Sequence, residues 1–473
     1  MLFNSFAFLV FLPVVFVLYW GLFRRTLRAQ NLFVLAASWF FYAWWDWRFL
    51  GLIFISSITD YIIGLRMAAT ENERTKSRLM WLSVGVSIGI LGFFKYFNFF
   101  ITEFADLLQL LGFHPHIHTL RIILPVGISF YTFQTLSYTI DIRRGQLRPT
   151  RDPVAFMAFV SFFPQLAAGP IERAQNLLKQ FLARREFNWD QARDGLRQML
   201  WGLFKKVVIA DGCAPIVDHI FSLDPASTSG ITLFFGAFFF AFQIYGDFSG
   251  YSDMAIGMAR LFGFQLSRNF AYPYFSRSVS EFWRRWHITL STWFRDYVYL
   301  PLGGWRNKAG RMRNIMITFA VSGLWHGANW TFISWGVLHG LFHVPMVVRG
   351  GKAAKDDPAP RDLPRILFTF LLVTVAWVFF RAADLGHAVA YCKGMVAHIA
   401  WSPGAVLLYL WRPEMAMIAL LVAVEWARRT LPHPLAGLPF APPARWVCYM
   451  ALVLVLLLHV DLSTSHEFIY FQF

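Results

Sequence analysis

The sequence predicts an all-α polytopic membrane protein, and three observations carry that prediction. Hydrophobic residues fill 57% of the 473 positions and charged residues only 15%, with a mean hydropathy of +0.47, well outside the balance of soluble domains. Apolar runs recur from end to end, many of them long enough at about 1.5 Å per helical residue to cross about 30 Å of hydrocarbon. Lys and Arg gather in the short gaps between those runs. Their surplus gives a formal net charge of +16, and its placement reads as the positive-inside pattern of membrane loops, not as a nucleic-acid surface.

Residues 2–23 form the first span. No basic n-region precedes it and no small-residue cleavage site follows, so it reads as an uncleaved helix. Arg24, Arg25 and Arg28 then belong in the cytoplasm, which puts the N-terminus outside. Residues 31–45 return outward to the aromatic belt YAWWDWRF, and 50–63 come back to a loop with Arg66, Arg74, Lys76 and Arg78. Residues 79–101 leave the cytoplasm again, placing HPHIH in an outer loop. Residues 122–140 cross inward, with Pro125 and Gly127 as kink points, to the basic run DIRRGQLRPTRD. The stretch 156–170 is short and interrupted by Pro and Gly, which predicts a re-entrant segment buried in protein. From 171 to 198, Arg173, Lys179, Arg184, Arg185, Arg193 and Arg197 alternate with Leu and Phe, the pattern of interfacial helices.

Residues 199–220 and 231–262 supply further spans. The second contains QIYGDFSGYSDMAIG, where Asp247 and Asp253 are expected to cap a broken helix or accept from aromatic hydroxyls, with catalytic acid as the sharper reading. Residues 315–343 are a span or a pair of half-spans, 352–365 a loop, and 366–380, 405–423 and 447–460 close the membrane part. The total is about ten to twelve helices. Cys213, Cys392 and Cys448 are odd in number and far apart, which predicts neither a disulfide framework nor a metal site. The chain reads as one integral domain, 1–473, ending in an aromatic tail at 468–473.

Chemistry concentrates in GLWHGANWTFISWGVLHGLFH, where His326 sits beside Trp325 and Asn329 at bilayer depth. Full charges there cost about 2.5 to 3.5 kcal/mol on insertion scales, so an ionisable side chain is read as functional. Neutral imidazole is cheaper to bury and can take a proton from an attacking hydroxyl. A thioester donor suits such a site, because its leaving thiolate needs no protonation. Asn329, three residues on, is placed to orient the imidazole or to donate to an oxyanion. His339 and His343, four apart, are better explained by packing than by metal binding, and no metal is expected.

Upstream lies SEFWRRWHITLSTWFRDYVYLPLGG, carrying His287. Read as one helix over 281–300, it aligns Phe282, Trp286, Leu290, Trp293 and Tyr297 on an apolar face, with Arg284, Arg285, Arg295 and Asp296 on the rest. With Arg306, Lys308, Arg311 and Arg313 following, the region is a cationic mouth for a phosphorylated ligand, or an anchor to anionic membrane lipids. At the end of the chain, Phe468, Tyr470, Phe471 and Phe473 make either a hydrophobic plug or a tail whose Tyr470 hydroxyl accepts an acyl group.

The motifs NFAYPYFSRSVSEFWRRWHITLSTWFRDYVYLPLGG, GLWHGANWTFISWG, YGDFSGYSDMAIG and AAGPIER resemble those of the membrane-bound O-acyltransferase (MBOAT) family. More narrowly, they are similar to its bacterial alginate O-acetyltransferase branch, with the teichoic-acid D-alanyl and peptidoglycan acetyl transferases as relatives. The resemblance implies a ring of tilted helices around a central tunnel, with a donor mouth on the cytoplasmic side and an acceptor funnel outside. It maps the family's signature histidine onto His326, the second motif position onto His287 and the tail tyrosine onto Tyr470. It further implies acetyl-CoA as donor substrate, with Arg284, Arg285, Arg295 and Asn329 as candidate donor-binding residues. The implied acceptor is an extracytoplasmic polysaccharide such as alginate, served by a periplasmic SGNH-type partner at the bacterial inner membrane. The alternatives are the same fold acylating another wall polymer, a lipid or a protein, and a non-enzymatic exporter.

Overall fold

The computed structural model describes residues 1–113, 119–167, 169–305, 308–349, 356–397, 403–460 and 468–469. Among these residues every regular element is helical. Six helical stretches are long and apolar enough to cross a membrane: Leu27–Ala69, Glu73–Leu110, Gly230–Leu261, Trp330–Val348, Pro360–Arg381 and Pro442–His459. The first of these has 43 residues, about 64 Å of helix and twice the hydrocarbon thickness. It divides at the 3-10 turn Trp47–Phe49, where the Asp46 carboxylate accepts from the Arg48 amide, into helices Leu27–Asp46 and Leu50–Ala69, where the sequence predicts two spans. The N-terminal helix Phe6–Gly21 is shorter and also apolar. The protein is a multi-pass, all-α membrane protein. The HPHIH histidines, Arg306 and Tyr470 lie outside the described residues.

The helices group into two compact units, Met1–Ala192 with Met258–Leu266, and Arg193–Gly257 with Ser267–Phe473. Within the first, the expected re-entrant stretch is two short buried helices, Pro153–Ser161 and Phe163–Leu166, broken at Phe162. The broken backbone is satisfied by protein: Gln134 and Gln165 both donate to the Phe159 carbonyl, at 2.9 and 3.1 Å, as irregular backbone at membrane depth requires. Arg185 departs from the interfacial expectation. It is buried, donates to the Tyr19 hydroxyl at 2.6 Å and to Asn31 Oδ1 at 2.7 Å, and lies 4.6 Å over the Phe264 ring. Those acceptors and the ring face replace the water that a surface position supplies.

Within the second unit, residues 315–343 resolve into the half-span alternative. A helix Lys308–His326 turns at Gly327 and Ala328 into a second helix, Trp330–Phe342. Two glycines let these helices touch: a Cβ on Gly323 would sit 2.2 Å from the Phe332 carbonyl oxygen, and one on Gly336 2.2 Å from that of Phe319. Larger residues at either position force the hairpin apart, and with it the end of the helix that carries His326.

Candidate active site

The expected single helix over 281–300 is broken. Helix Val279–Arg285 ends at Trp286, His287 takes left-handed backbone angles (φ 42°, ψ 55°), and a new helix runs Ile288–Phe294. A non-glycine residue there stores about 1 to 3 kcal/mol of strain, so its surroundings must over-determine it. They do so through the extended segment 269–271: Ile288 N donates to the Asn269 carbonyl and Ala271 N to that of Arg285, each at 2.9 Å. The amphipathic period continues through the break, and Phe282, Trp286, Leu290 and Trp293 are all buried. Only the backbone bonds have been traded for tertiary ones.

Asn269 also fixes the imidazole. Its Oδ1 accepts from Thr289 N at 3.3 Å, Thr289 Oγ1 at 2.9 Å and His287 Nδ1 at 3.0 Å, while its Nδ2 donates to Ser252 Oγ at 3.2 Å. An amide oxygen cannot donate, so the proton belongs on Nδ1 and Nε2 is the nitrogen that carries the lone pair. His287 is fully buried and lies outside the six candidate spans. Burial pushes its pKa down to about 3, which keeps it neutral throughout the physiological range. Asn269 did not emerge from sequence reasoning, although it opens the NFAYPYF motif that leads to His287.

His326 is the last residue of its helix, the end that carries partial negative charge. Its ring is boxed edge-to-face by Trp325 at 4.9 Å, Trp335 at 5.0 Å and Phe380 at 5.4 Å between centroids. Trp325 also lies 6.1 Å from the His287 ring, so one indole contacts both imidazoles. The two histidines that the motifs single out are thus brought to one place. His339 adjoins them: it is buried, accepts from Trp283 Nε1 at 3.2 Å and packs against Trp335 at 4.9 Å. His343 Nδ1 shares a 2.8 Å hydrogen bond with the His339 carbonyl.

Beside this cluster a cavity of about 450 Å³ has Arg284, Arg295 and Arg311 on its wall, a volume in the range of small-molecule sites. Trp283 and Phe319 supply apolar surface, and Ser322 lines it one helical turn before His326. The imidazoles of His287 and His326 do not line it themselves. Trp283, on its wall, lies 5.6 Å from the Trp335 ring that packs against His326.

The remaining predicted residues have other engagements. Arg285 pairs with buried Glu281 at 3.0 Å and donates to the Ala271 carbonyl at 3.2 Å, and Glu281 also binds Arg277 at 3.0 Å. That ladder braces the helix break. Arg295 pairs with Asp296 at 2.7 Å while facing the cavity. Asn329 caps the helix Trp330–Phe342, its Oδ1 accepting from Thr331 N at 3.0 Å, and donates to the Ala383 carbonyl at 3.1 Å.

Cationic groups around a mostly apolar cavity, next to a buried imidazole pair, suit transfer of an acyl group from a polar carrier. Comparison with known proteins points the same way. The family model "MBOAT, membrane-bound O-acyltransferase family" matches residues 143–349, a stretch that holds both histidines and the cavity. Among curated proteins, the chain is 42% identical to a probable alginate O-acetylase of Azotobacter vinelandii, over 93% of this chain and 88% of that one. It is 39% identical to a probable alginate O-acetylase of Pseudomonas putida over the full length of both. A peptidoglycan O-acetyltransferase of Helicobacter pylori is 38% identical over 84% of this chain and 80% of its own. Likeness of that extent, with the histidine pair inside the matched region, makes the chain an O-acyltransferase belonging to the membrane-bound O-acyltransferase family.

Proposed function

We propose that this protein takes an acetyl group from acetyl-CoA on the cytoplasmic side of the bacterial inner membrane and passes it outward for O-acetylation of an alginate-like polysaccharide. The observation that carries the reading is the cavity bearing Arg284, Arg295 and Arg311, which ends one helical turn from His326. Guanidinium groups bind phosphate oxygens in a planar fork, and the apolar inner wall suits a pantetheine arm. The Lys and Arg of residues 277–313 support a cytoplasmic position for this mouth under the positive-inside rule. Relatives whose names specify O-acetylation of alginate and of peptidoglycan support a polysaccharide acceptor.

In the transfer step the acceptor hydroxyl oxygen forms a bond to the acetyl carbon as the carbon–sulfur bond breaks. His326 takes the hydroxyl proton, and the CoA thiolate leaves and recovers that proton from the imidazolium. The negative end of the Lys308–His326 helix faces the positive charge formed in the process. His287 helps by positioning: neutral and held at Nδ1 by Asn269, it packs on Trp325, the indole that also walls His326. Tyr470 is the first acceptor, an O-acetyl-tyrosine that delivers the group to the polysaccharide with a periplasmic SGNH-type partner. Arg284, with Arg295 and Arg311, attracts the donor's phosphates. Arg285 and Asn329 support that donor site by bracing the helix break and the hairpin.

The test is release of CoA by purified protein supplied with acetyl-CoA and acceptor. The wild type is expected to release CoA and His326→Ala to release none. Absence of release by the wild type, with polymer moved across the membrane instead, would replace the enzyme with an exporter.

A further inference from the structure

Asp247 sits on the helix Gly230–Leu261 among aromatic residues, buried, and the transfer chemistry does not use it. Its two oxygens face different partners. Oδ1 is paired at 2.7 Å with Lys206 Nζ, which also binds Asp211 at 2.8 Å. Oδ2 accepts the backbone N–H of Ile469 at 2.7 Å, across 222 positions of sequence. The tail residue before it, Phe468, is buried against Tyr251 at 4.9 Å and Phe248 at 5.7 Å between ring centroids. Phe248 in turn stands edge-on to His287 at 4.6 Å. One helix therefore presents a carboxylate for the tail's backbone and two rings for its side chain, and one of those rings is the floor under the His287 imidazole.

From this we infer that Asp247 is the anchor of the C-terminal tail, a positioning residue that holds residues 468–469 beside the His287 site. A backbone N–H donated to an ionised carboxylate is a charge-assisted bond, stronger than a neutral one. It reads no side chain, so it sets where the tail lies along the helix whatever residue stands at 469. Lys206 stabilises the device, because its ammonium offsets the cost of burying the carboxylate. Phe468 supplies the register: its ring packs on Phe248 and Tyr251, the next residue, Ile469, carries the anchored amide, and Tyr470 is the residue after that in sequence. The inference rests on the reading of Tyr470 as acyl relay only for its consequence in catalysis. The anchoring itself stands on the Asp247–Ile469 contact.

The experiment uses the full-length protein in membranes, with Cys213, Cys392 and Cys448 replaced by Ala and Ile469→Cys as a reporter that keeps the backbone N–H. Maleimide labelling of position 469 is measured alongside acetylation of the polymer. In the parent the buried thiol labels slowly. Asp247→Ala is expected to speed labelling at least about tenfold and to lower acetylation to the level of Tyr470→Phe. Asp247→Asn, which keeps an oxygen toward the amide, is expected to stay within about threefold of the parent in labelling. Phe468→Ala leaves the Asp247–Lys206 pair intact and is expected to match Asp247→Ala, which covers the case in which the buried substitution fails to fold. Unchanged labelling in Phe468→Ala or in folded Asp247→Ala overturns the anchor. Faster labelling with undiminished acetylation overturns the positioning role. Should Tyr470→Phe retain full acetylation, the relay reading falls while the labelling result still decides the anchor.

Discussion

The two histidines of the site are the same residue type in opposite surroundings. His287 lies in a polar cradle, its Nδ1 on Asn269, its backbone in a left-handed conformation and its own helix interrupted around it. His326 ends an unbroken helix and is walled by the rings of Trp325, Trp335 and Phe380. The cradle fixes a tautomer and spends strain to do so, which is how a ring is built to orient another group. The aromatic box meets the His326 ring edge-to-face and fixes no tautomer in this way. On this contrast rests the proposed division of roles, His326 as base and His287 as positioner, against two interchangeable bases.

The largest expected effect breaks the comparison at its stronger side. His326→Ala should lower polymer acetylation about a hundred- to ten-thousand-fold, the usual worth of a general base, with the protein still present in the membrane. Equal losses in His287→Ala and His326→Ala would contradict the division of roles. Next comes Asn269→Ala, which should lower kcat about ten- to a hundredfold with KM for the donor little changed. Because Asn269 acts through His287, the double variant Asn269→Ala/His287→Ala should be no worse than His287→Ala alone; additive losses would assign Asn269 a separate task. Smaller still, Arg311→Ala should raise KM for acetyl-CoA about tenfold, the scale of one charge-assisted contact. It should leave KM for a short acetyl thioester without phosphates unchanged, and a rise for both would move Arg311 from phosphate binding to packing.

The smallest effect concerns pH. His287 is depressed to about 3 in the folded protein, against about 6.5 when unfolded. Above pH 6.5 the ring is neutral in both states. Below it the unfolded chain binds a proton that the folded site refuses, so stability falls by up to about 1.4 kcal/mol per pH unit between 6.5 and 3. Melting of the wild type and of His287→Gln across pH 5 to 7.5 should show a shallower acid slope in the variant; parallel slopes would contradict the buried neutral imidazole.

Much of this architecture was legible in the sequence. Charge-poor apolar runs and basic gaps identify a multi-pass helical protein, and the two histidine motifs are long enough to mark a candidate site. What escaped has physical reasons. The break at His287 is invisible to periodicity because the apolar face continues through it, while the decisive partner, Asn269, stands 18 positions away and acts through tertiary hydrogen bonds. Arg285 read as a phosphate binder, yet its four-residue spacing from Glu281 already allowed the helical ion pair that the structure contains. Asn329 likewise carried the signature of an N-cap ahead of an apolar helix. Asp247 was expected to accept from a hydroxyl or cap a helix. Its acceptor role is met by a backbone amide 222 residues on, a pairing that no local pattern encodes.

The proposed mechanism stands on the arginine-walled cavity as the donor site, with His326 one helical turn from its lining residue Ser322. Its most direct measurement is a structure of the protein with a thioether analogue of acetyl-CoA, which binds but cannot transfer. The analogue's phosphates are expected against Arg284, Arg295 or Arg311 and its acetyl carbonyl within about 4 Å of the His326 ring, close to the reach that general-base catalysis needs. An analogue seated elsewhere, with this cavity empty and His326 remote from the acetyl group, would contradict it.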